Sequence, residues 1–302
     1  MMVSLTEMLG SEPVLDPEEE AFIIFSQAIP SQSLGFIDSQ AATLEVSVAD
    51  HDLVIHQSRG LLTSDRKAGT TGAVVWKVTP LFSTWISSPQ NFLFTSSLLH
   101  PQSTILELGA GVSGIVALSL APRVHRYTAT DQAYVLKLLR QNVAENLDTV
   151  FPAPQRKGKG NGKANGGGGG GGKKSNGKSS AEERILVQEL DWETDAVSNL
   201  TPVDLVIACD CIYNEALIEP LNSTCAALCK LRENNNNNDD KEEGDQKPTL
   251  CLIAQQLRSP DVFEAWLTSF HAKFWVWRVP DELLSEGLRE GSGFVVHVGV
   301  VR

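Results

Sequence analysis

A glycine-rich loop is the segment of this sequence whose residue types and spacing best suit the binding of a nucleotide-like ligand. It reads Glu107-Leu-Gly-Ala-Gly-Val-Ser-Gly114 and lies between an apolar run typical of a strand and one typical of a helix. Glycines allow a sharp turn and a close approach of the ligand, and a helix N-terminus offers free N–H groups. Asp131 ends the next predicted strand, where a carboxylate can accept hydrogen bonds from both ribose hydroxyls. The pattern predicts a site for an adenosine-containing cofactor, and a tight turn without a ligand is the alternative.

Two cofactors, NAD and S-adenosylmethionine, bind to loops of this kind. A dinucleotide places its pyrophosphate on the helix N-terminus and usually needs a second nucleotide-binding half. The carboxylate of Glu107, ahead of the loop, would face a pyrophosphate unfavourably but suits the cationic methionine portion of S-adenosylmethionine. The residues therefore favour S-adenosylmethionine, with an NAD-dependent dehydrogenase as an alternative.

Three further motifs accompany the loop and Asp131. They are Thr71-Gly-Ala-Val-Val-Trp76 upstream, Asp191-Trp192 after the third predicted strand, and Asp210-Cys-Ile-Tyr213 after the fourth. With them the chain resembles, from about Thr71 to its C-terminus, the seven-strand class I methyltransferases, and among these the family 16 protein-lysine methyltransferases. The resemblance implies a Rossmann-like fold, S-adenosylmethionine as cofactor and a lysine amine as the methyl acceptor.

The resemblance also implies roles for individual residues. Together with Glu107, the expected cofactor-binding residues are Trp76, Gly109, Ala110, Gly111, Asp131, Trp192 and Cys209. Trp192 would lie against the adenine, and Cys209 would touch the cofactor through its backbone. Judged without the family, both Trp76 and Trp192 could be core tryptophans, and Cys209 could be an ordinary buried thiol.

Asp210 and Tyr213 are the expected catalytic residues. They follow the carboxyl end of a predicted parallel strand, where open α/β sheets place their sites, and their spacing would put them on one side of a helical turn. A lysine amine, with a pKa of about 10.4, must lose its proton before it attacks a methyl group. We expect Asp210 to orient the amine and Tyr213 to line the lysine channel. The alternative is a helix-capping Asp210 and a packed Tyr213.

The elements that must position these residues alternate between strand and helix patterns. Strand-like runs lie at Thr104–Leu108, Arg126–Thr130, Ile185–Leu190, Val203–Cys209, Thr249–Gln255, Phe274–Val279 and Gly293–Val300. Helical patterns lie at Val112–Leu120, Tyr134–Leu147, Ala216–Leu231 and Val262–Phe270. The alternation predicts an α/β fold, a Rossmann-like, seven-stranded, mostly parallel and doubly wound sheet. The short polar connection between the last two strands predicts an antiparallel hairpin at one edge.

Composition suggests how the chain is divided. Residues 1–60 are predicted to be an N-terminal extension with a β-hairpin at Thr43–Val48 and Asp52–Gln57, and residues 61–302 a methyltransferase domain. Low-complexity segments at about 152–182 and 233–248 are predicted to be disordered inserts. The first insert, rich in glycine and lysine, is interpreted as a spacer, with weak contact to RNA as the alternative.

The overall charge indicates the kind of partner. With 25 basic and 37 acidic residues, the net charge of −12 excludes a general binder of nucleic-acid backbones. The charge suits a basic protein as partner, and the alternative is that an acidic surface only keeps the protein soluble. Within the family, the chain resembles members that act on a large-subunit ribosomal protein, which is such a partner. The alternatives are a small-molecule methyltransferase and a non-catalytic, cofactor-binding interaction module.

Neither a metal site nor a membrane segment is predicted. The five cysteines form no Cys-x-x-Cys pair and have no histidines grouped beside them, so zinc is not expected. No apolar run approaches the ~20 residues of a membrane helix, and the N-terminus lacks the features of a signal peptide. The expected location is therefore cytoplasmic.

Overall fold

The computed structural model describes residues 2–31, 34–62, 70–152, 183–236 and 247–302. The strands are β1 (Thr43–Val48), β2 (His51–His56), β3 (Thr104–Leu108), β4 (Arg126–Asp131), β5 (Ile185–Glu189), β6 (Leu205–Cys209), β7 (Leu250–Gln256), β8 (Phe274–Arg278) and β9 (Phe294–Val301). The α-helices are α1 (Met2–Leu9), α2 (Pro17–Phe25), α3 (Arg59–Leu62), α4 (Val78–Ser87), α5 (Phe92–Thr95), α6 (Ile115–Leu120), α7 (Ala133–Val150), α8 (Ile218–Asn236) and α9 (Pro260–His271).

Seven strands form one mixed sheet in the order β5-β4-β3-β6-β7-β9-β8. Strands β3 to β7 are parallel, and β9 runs antiparallel to both of its neighbours, β7 and β8. Every residue of β6 and β7 is buried, as expected for central strands covered on both faces. The predicted doubly wound sheet with an antiparallel edge hairpin is confirmed. Within this hairpin β9 lies between β7 and β8, so β8 is the edge strand of the sheet.

Helices cover both faces of the sheet and create two hydrophobic cores. One core takes side chains from α1, α4, α6 and α7, including Leu5, Phe82 and Leu139. The other takes side chains from α2, α8 and α9, including Ile24 and Trp266. The parallel strands therefore end at a common edge between two helical layers, where open α/β sheets bind their ligands.

The β1–β2 hairpin is fixed to α7 by two asparagine side chains. Asn142 accepts a hydrogen bond from the backbone N–H of His56 and donates one to its carbonyl, each at 2.9 Å. Asn146, one helical turn later, pairs in the same way with Val54 at 3.0 and 2.9 Å. Both side chains are buried, so the two amides stand in for a neighbouring strand and satisfy one edge of β2.

The structure differs from the predicted elements in several places. The helix predicted from Val112 begins only at Ile115, because Gly114 has a left-handed φ of 60° and a Cβ there would lie 2.9 Å from Leu139 and Val143. Helices α1 and α4 were not predicted. Helix α8 extends to Asn236, into the segment expected to be the second insert. Residues 153–182 and 237–246 lie outside the described residues, so the spacer and its alternative RNA contact stay predictions.

Candidate active site

A cleft at the carboxyl edge of the sheet is lined by all ten residues expected from the sequence. These are Trp76, Glu107, Gly109, Ala110, Gly111, Asp131, Trp192, Cys209, Asp210 and Tyr213. They come from the ends of four strands, from the glycine loop, and from the segment that precedes α4. Their assembly in one cleft supports a shared site, while the role of each residue stays a prediction.

The glycine loop is packed too closely for side chains. Gly109 has a φ of 69°, and a Cβ there would lie 2.6 Å from the Cys211 sulfur and 3.0 Å from the Trp192 ring. A φ of this sign favours glycine, and the contacts exclude any larger residue without rearrangement. The loop therefore holds the Trp192 ring directly against the backbone on which the ligand would rest.

The segment Thr71–Ala73 lies across the loop. The Gly72 carbonyl accepts a hydrogen bond from Val112 N–H at 2.8 Å, and a Cβ on Gly111 would lie 3.2 Å from that carbonyl oxygen. Trp76 donates its indole N–H to the Thr71 carbonyl at 3.1 Å. The motif around Trp76 thus covers the glycine loop and forms one wall of the cleft.

Asp131 ends β4 beside the loop. One carboxylate oxygen accepts the Gly111 N–H at 2.8 Å, and the other accepts the Gln132 N–H at 2.7 Å. Burial raises the pKa of Asp131 to about 6, although these two hydrogen bonds oppose the shift. At neutral pH the group is therefore mainly ionised, and each oxygen has a remaining lone pair that can accept from a ribose hydroxyl.

Glu107 is the buried acid beneath the cleft. The Tyr127 hydroxyl donates to one of its oxygens at 2.9 Å, and burial raises the pKa of Glu107 to about 8. Without a cation in the cleft, the carboxyl is thus mainly neutral at pH 7, which qualifies the expectation of a negative charge there. A cation placed next to it would lower this pKa and restore the charge.

Trp192 and Cys209 both line the cleft, and different contacts fix them. The motif carrying Trp192 is fixed by a hydrogen bond from the Gln132 side chain to the Asp191 carboxylate at 3.1 Å. Cys209 is buried, and burial raises the pKa of its thiol. Its side chain packs in the core, so a backbone contact with a ligand is the one its position favours.

Tyr213 stands at the mouth of the cleft. Tyr213 is 39% exposed, and burial of its hydroxyl raises its pKa, although the Thr71 side chain opposes the shift. In this conformation the cleft has a volume of about 90 Å³. Ligand pockets usually measure about 300 Å³ or more, so residues that line the cleft must move apart when a nucleoside-sized ligand binds.

Asp210 lies at the bottom of the same mouth, held by an arginine that the sequence did not indicate. Its carboxylate accepts hydrogen bonds from both terminal nitrogens of Arg258, at 2.7 and 2.6 Å, and from Gln256 N–H at 3.2 Å. The expected helical turn is wrong, because residues 210–213 are irregular and Asp210 has a left-handed φ of 59°. The following helical turn is capped by Asn214, so Asp210 is not a helix cap either.

Arg258 connects three parts of the site. Beyond its ion pair with Asp210, its guanidinium lies 5.0 Å from the Trp76 ring centre, and its Nε donates to the Leu34 carbonyl at 3.4 Å. Its one signal in the sequence was a charged residue two positions after a buried strand, at the edge where sites form. The sequence could not show that Asp210 is its partner, because the two residues are 48 positions apart in the chain.

The residues present suit S-adenosylmethionine. Asp131, ionised and with free lone pairs at the end of β4, suits a ribose. The Trp192 ring against the loop suits an adenine, and the buried carboxyl of Glu107 suits a cationic methionine portion. Within the described ranges, no group of three or more metal-binding side chains is arranged to hold a metal ion. No helix among the same residues is long and apolar enough to cross a bilayer.

Comparison with known proteins gives relatives by name. Over 242 residues the chain is 29% identical to "Ribosomal lysine N-methyltransferase 5" of Zygosaccharomyces rouxii, a match that covers 72% of this chain and 70% of that protein. A protein of the same name from Eremothecium gossypii is 30% identical, covering 63% of this chain and 69% of the relative. A "Diaminohydroxyphosphoribosylamino-pyrimidine deaminase" of Schizosaccharomyces pombe is 28% identical over 83% of this chain, which spans only 50% of that longer protein.

A family model described as lysine methyltransferase matches residues 55–153 and 174–236, which is more than half of the chain. The match includes the glycine loop, Asp131, Trp192 and the segment from Asp210 to Tyr213. It leaves out the first 54 residues and everything after Asn236, including Arg258. The chain therefore belongs to the lysine methyltransferase family, and S-adenosylmethionine is its cofactor.

Proposed function

We propose that this protein transfers a methyl group from S-adenosylmethionine to a lysine side chain of a ribosomal protein, one of the large subunit. The observation that supports this most is the position of Asp210 and Tyr213 at the mouth of the cleft that contains Asp131 and the glycine loop. The names of the fungal relatives support a ribosomal substrate. A cytoplasmic location follows as part of the same proposal.

The cofactor-binding residues divide the cleft between them. Asp131 would accept hydrogen bonds from the ribose, Trp192 would cover the adenine, and Glu107 would lie near the methionine portion. When bound, S-adenosylmethionine supplies a methyl group that its positive sulfur has already activated. The protein's main task is therefore to hold a neutral amine in line with that methyl group at ~3–3.5 Å.

The ion pair between Asp210 and Arg258 bears directly on the charge of that amine. The Asp210 side chain is only 1% exposed and already has three donors, so it retains one acceptor direction for a further hydrogen bond. Arg258 balances its charge, so the pair attracts an ammonium group much less than a free carboxylate would. A nearby guanidinium also disfavours the charged form of an amine. The pair thus suits a neutral lysine amine that donates one hydrogen bond to Asp210.

The exposed side chains at the mouth of the cleft favour a protein over a small molecule as the acceptor. Tyr213 is 39% exposed, and Leu34, whose carbonyl is bound by Arg258, is 66% exposed. Exposed apolar side chains around a site mark a surface that another molecule covers. A small-molecule methyltransferase would enclose its acceptor, and a non-catalytic module would need no residue poised next to the methyl group.

Single-turnover methyl transfer, measured beside a cofactor titration, tests the proposal. The probe is ribosomal protein extracted from methyl-deficient cells, with labelled cofactor and mass spectrometry of the labelled lysine. We expect Asp210→Asn to reduce transfer by ~10²-fold or more, a loss typical of removing one well-placed polar group, with cofactor affinity almost unchanged. Tyr213→Phe should reduce it less, because the ring remains.

Asp131→Asn is the matched control, since it should weaken cofactor binding as well as transfer. Equal losses of cofactor affinity and rate in Asp210→Asn would place Asp210 in the cofactor pocket rather than the lysine site. Labelling of a small molecule or of nothing, by a protein that still binds the cofactor, would contradict lysine methyl transfer.

A further inference from the structure

A second, larger groove lies at the same edge of the sheet, beside the active-site cleft. It has a volume of about 510 Å³ and runs between the N-terminal segment from Ser11 to Ile29 and the segment that connects β8 to β9. Leu257, the chain neighbour of Arg258, is one of its lining residues. The groove therefore includes a residue next in the chain to the arginine that holds Asp210.

The groove exposes apolar side chains. Leu15 and Ile23, which line it, are 81% and 40% exposed, and Phe22 beside them on α2 is 74% exposed. The opposite face of α2 is covered, since Phe25 meets Phe263 of α9 with ring centres 5.4 Å apart. One face of α2 is thus packed and the other presents large apolar groups to solvent, which indicates a surface for a partner.

The charge of the groove identifies the chemistry of that partner. Seven acidic residues line it, namely Glu12, Asp16, Glu19, Glu20, Asp281, Glu282 and Glu290, against a single basic residue, Arg278. Arg278 pairs with Glu20 at 3.2 Å, and Asp16 caps α2 by accepting from two of its N–H groups. The side chains of Glu12, Glu19, Glu282 and Glu290 are exposed and make no ion pair with any described residue. They place four unpaired negative charges in the same groove as the exposed apolar side chains of Leu15 and Ile23.

We propose that this groove docks a basic, extended segment of the protein substrate, whose apolar side chains contact Leu15 and Ile23 while its lysines and arginines face the four unpaired acids. The inference rests on the proposed function, because it supplies the surface that presents one lysine to Asp210. Opposite charges would speed the encounter and select basic partners, and the apolar contacts would hold the segment in place. A docking surface outside the cleft also separates recognition from chemistry.

Binding of a defined probe tests the docking surface without any need for catalysis. The probe is a short fluorescent peptide of lysine, glycine and leucine, measured by anisotropy at low and at physiological salt. The variant replaces Glu12, Glu19, Glu282 and Glu290 with glutamine. We expect its Kd to rise about tenfold at low salt, the combined loss of four exposed charge pairs, and the salt dependence of binding to shrink.

A matched control removes the same charge elsewhere. It replaces Glu45, Glu183, Glu189 and Glu264, which are exposed and lie outside the groove, with glutamine. An equal loss of affinity in both variants would show that only the net charge matters and would overturn the proposal. A peptide with glutamate in place of lysine should not bind at all.

A second pair of variants tests the exposed apolar side chains of the groove. Leu15→Ala with Ile23→Ala should weaken binding of the basic peptide by several-fold at every salt concentration, because apolar contact is not screened. Val54→Ala with Leu186→Ala, exposed apolar residues on β2 and β5, should leave it unchanged. No difference between these pairs would also overturn the proposal.

The docking proposal and the proposed function can be refuted independently of each other. If the groove variants bind the peptide normally and ribosomal protein is still methylated, docking is wrong and the function stands. If the groove binds basic peptide as expected and no lysine is labelled, the proposed function is wrong.

Discussion

At the scale of single residues, the buried carboxyl of Glu107 makes the stability of the cofactor-free protein depend on pH. Its pKa is about 8 in the folded protein, against an ordinary value of 4.5, because the carboxyl is fully buried. Below about pH 4.5 both the folded and the unfolded chain hold this proton. As the pH rises towards about 8, the unfolded chain releases the proton and the folded one keeps it, so this group lowers the free energy of unfolding across that window.

Glu107→Gln should therefore stabilise the protein when no cofactor is bound. The amide cannot ionise and can still accept from the Tyr127 hydroxyl. We expect its stability advantage over the parent to grow from about pH 5 to about pH 8, up to about 5 kcal/mol, measured by urea unfolding at several pH values. Parallel stability curves for the two proteins would show that Glu107 is ionised in the cleft.

A second prediction for a single residue concerns the effect of the Arg258 charge on the acceptor amine. If the guanidinium keeps the acceptor amine neutral, Arg258→Gln should leave Asp210 as an unbalanced carboxylate that favours ammonium. Among the described residues, the acidic and basic side chains that line the cleft and the small pocket beside it are Glu107, Asp131, Asp191, Glu193, Asp210 and Arg258. Loss of the one basic side chain in this set makes the mouth more negative. We expect the pH profile of single-turnover transfer to move to higher pH.

Arg258→Lys is the control for the Arg258 prediction, because it keeps the positive charge and loses only the paired hydrogen bonds. Its pH profile should stay near that of the parent even if its maximal rate falls. A shift of equal size in both variants would mean that Arg258 fixes the geometry of Asp210 and does not set the charge of the amine.

At the scale of elements, α7 links the hairpin to the cofactor cleft through Asn142. Besides its two bonds to His56, this side chain donates to the Val112 carbonyl of the glycine loop at 2.7 Å. Asn146 contacts Val54 and its own helix but not the loop. Two asparagines one turn apart thus make similar contacts with β2, and one of them also holds the loop.

Asn142→Asp and Asn146→Asp should separate these roles. Each loses its donors and places a carboxylate against carbonyl oxygens, at a cost of about 1–3 kcal/mol of stability, seen in denaturant unfolding. Only Asn142→Asp should also weaken S-adenosylmethionine binding, measured by calorimetric titration, because only it releases the Val112 carbonyl. Equal cofactor affinity in the two variants would contradict a link between hairpin and loop.

The same elements explain what the sequence could and could not predict. Strands such as Thr104–Leu108 and the glycine loop were predictable, because their apolar runs and glycines act locally. Helix α4 was missed since its pattern is interrupted by threonine, serine and proline, and its place is set by packing on α6. Arg258 was missed because its role depends on its ion pair with Asp210. Only the pairing of β6 with β7 brings these two residues together.

At the scale of the whole molecule, the N-terminal residues are part of the core. Leu5, Leu53 and Ile55 are at most 1% exposed and belong to the same hydrophobic cluster as Phe82 and Leu139. Trp277 on β8 donates to the Thr6 hydroxyl at 3.3 Å, and Val14 donates its N–H to the Val276 carbonyl at 2.7 Å. Contacts of this kind join the first 60 residues to both the helical layer and the edge strand.

Ile55→Ala should therefore destabilise the entire protein and not a separate N-terminal unit. Loss of a fully buried isoleucine side chain costs about 2–5 kcal/mol, since the surrounding core collapses only partly into the space. We expect the single unfolding transition followed by tryptophan fluorescence to move to lower denaturant with an unchanged slope. Val54→Ala, one residue away and 43% exposed, should leave the midpoint almost unchanged. If Ile55→Ala instead produces an early, minor transition and the tryptophan signal keeps its original midpoint, residues 1–60 unfold independently of the methyltransferase core.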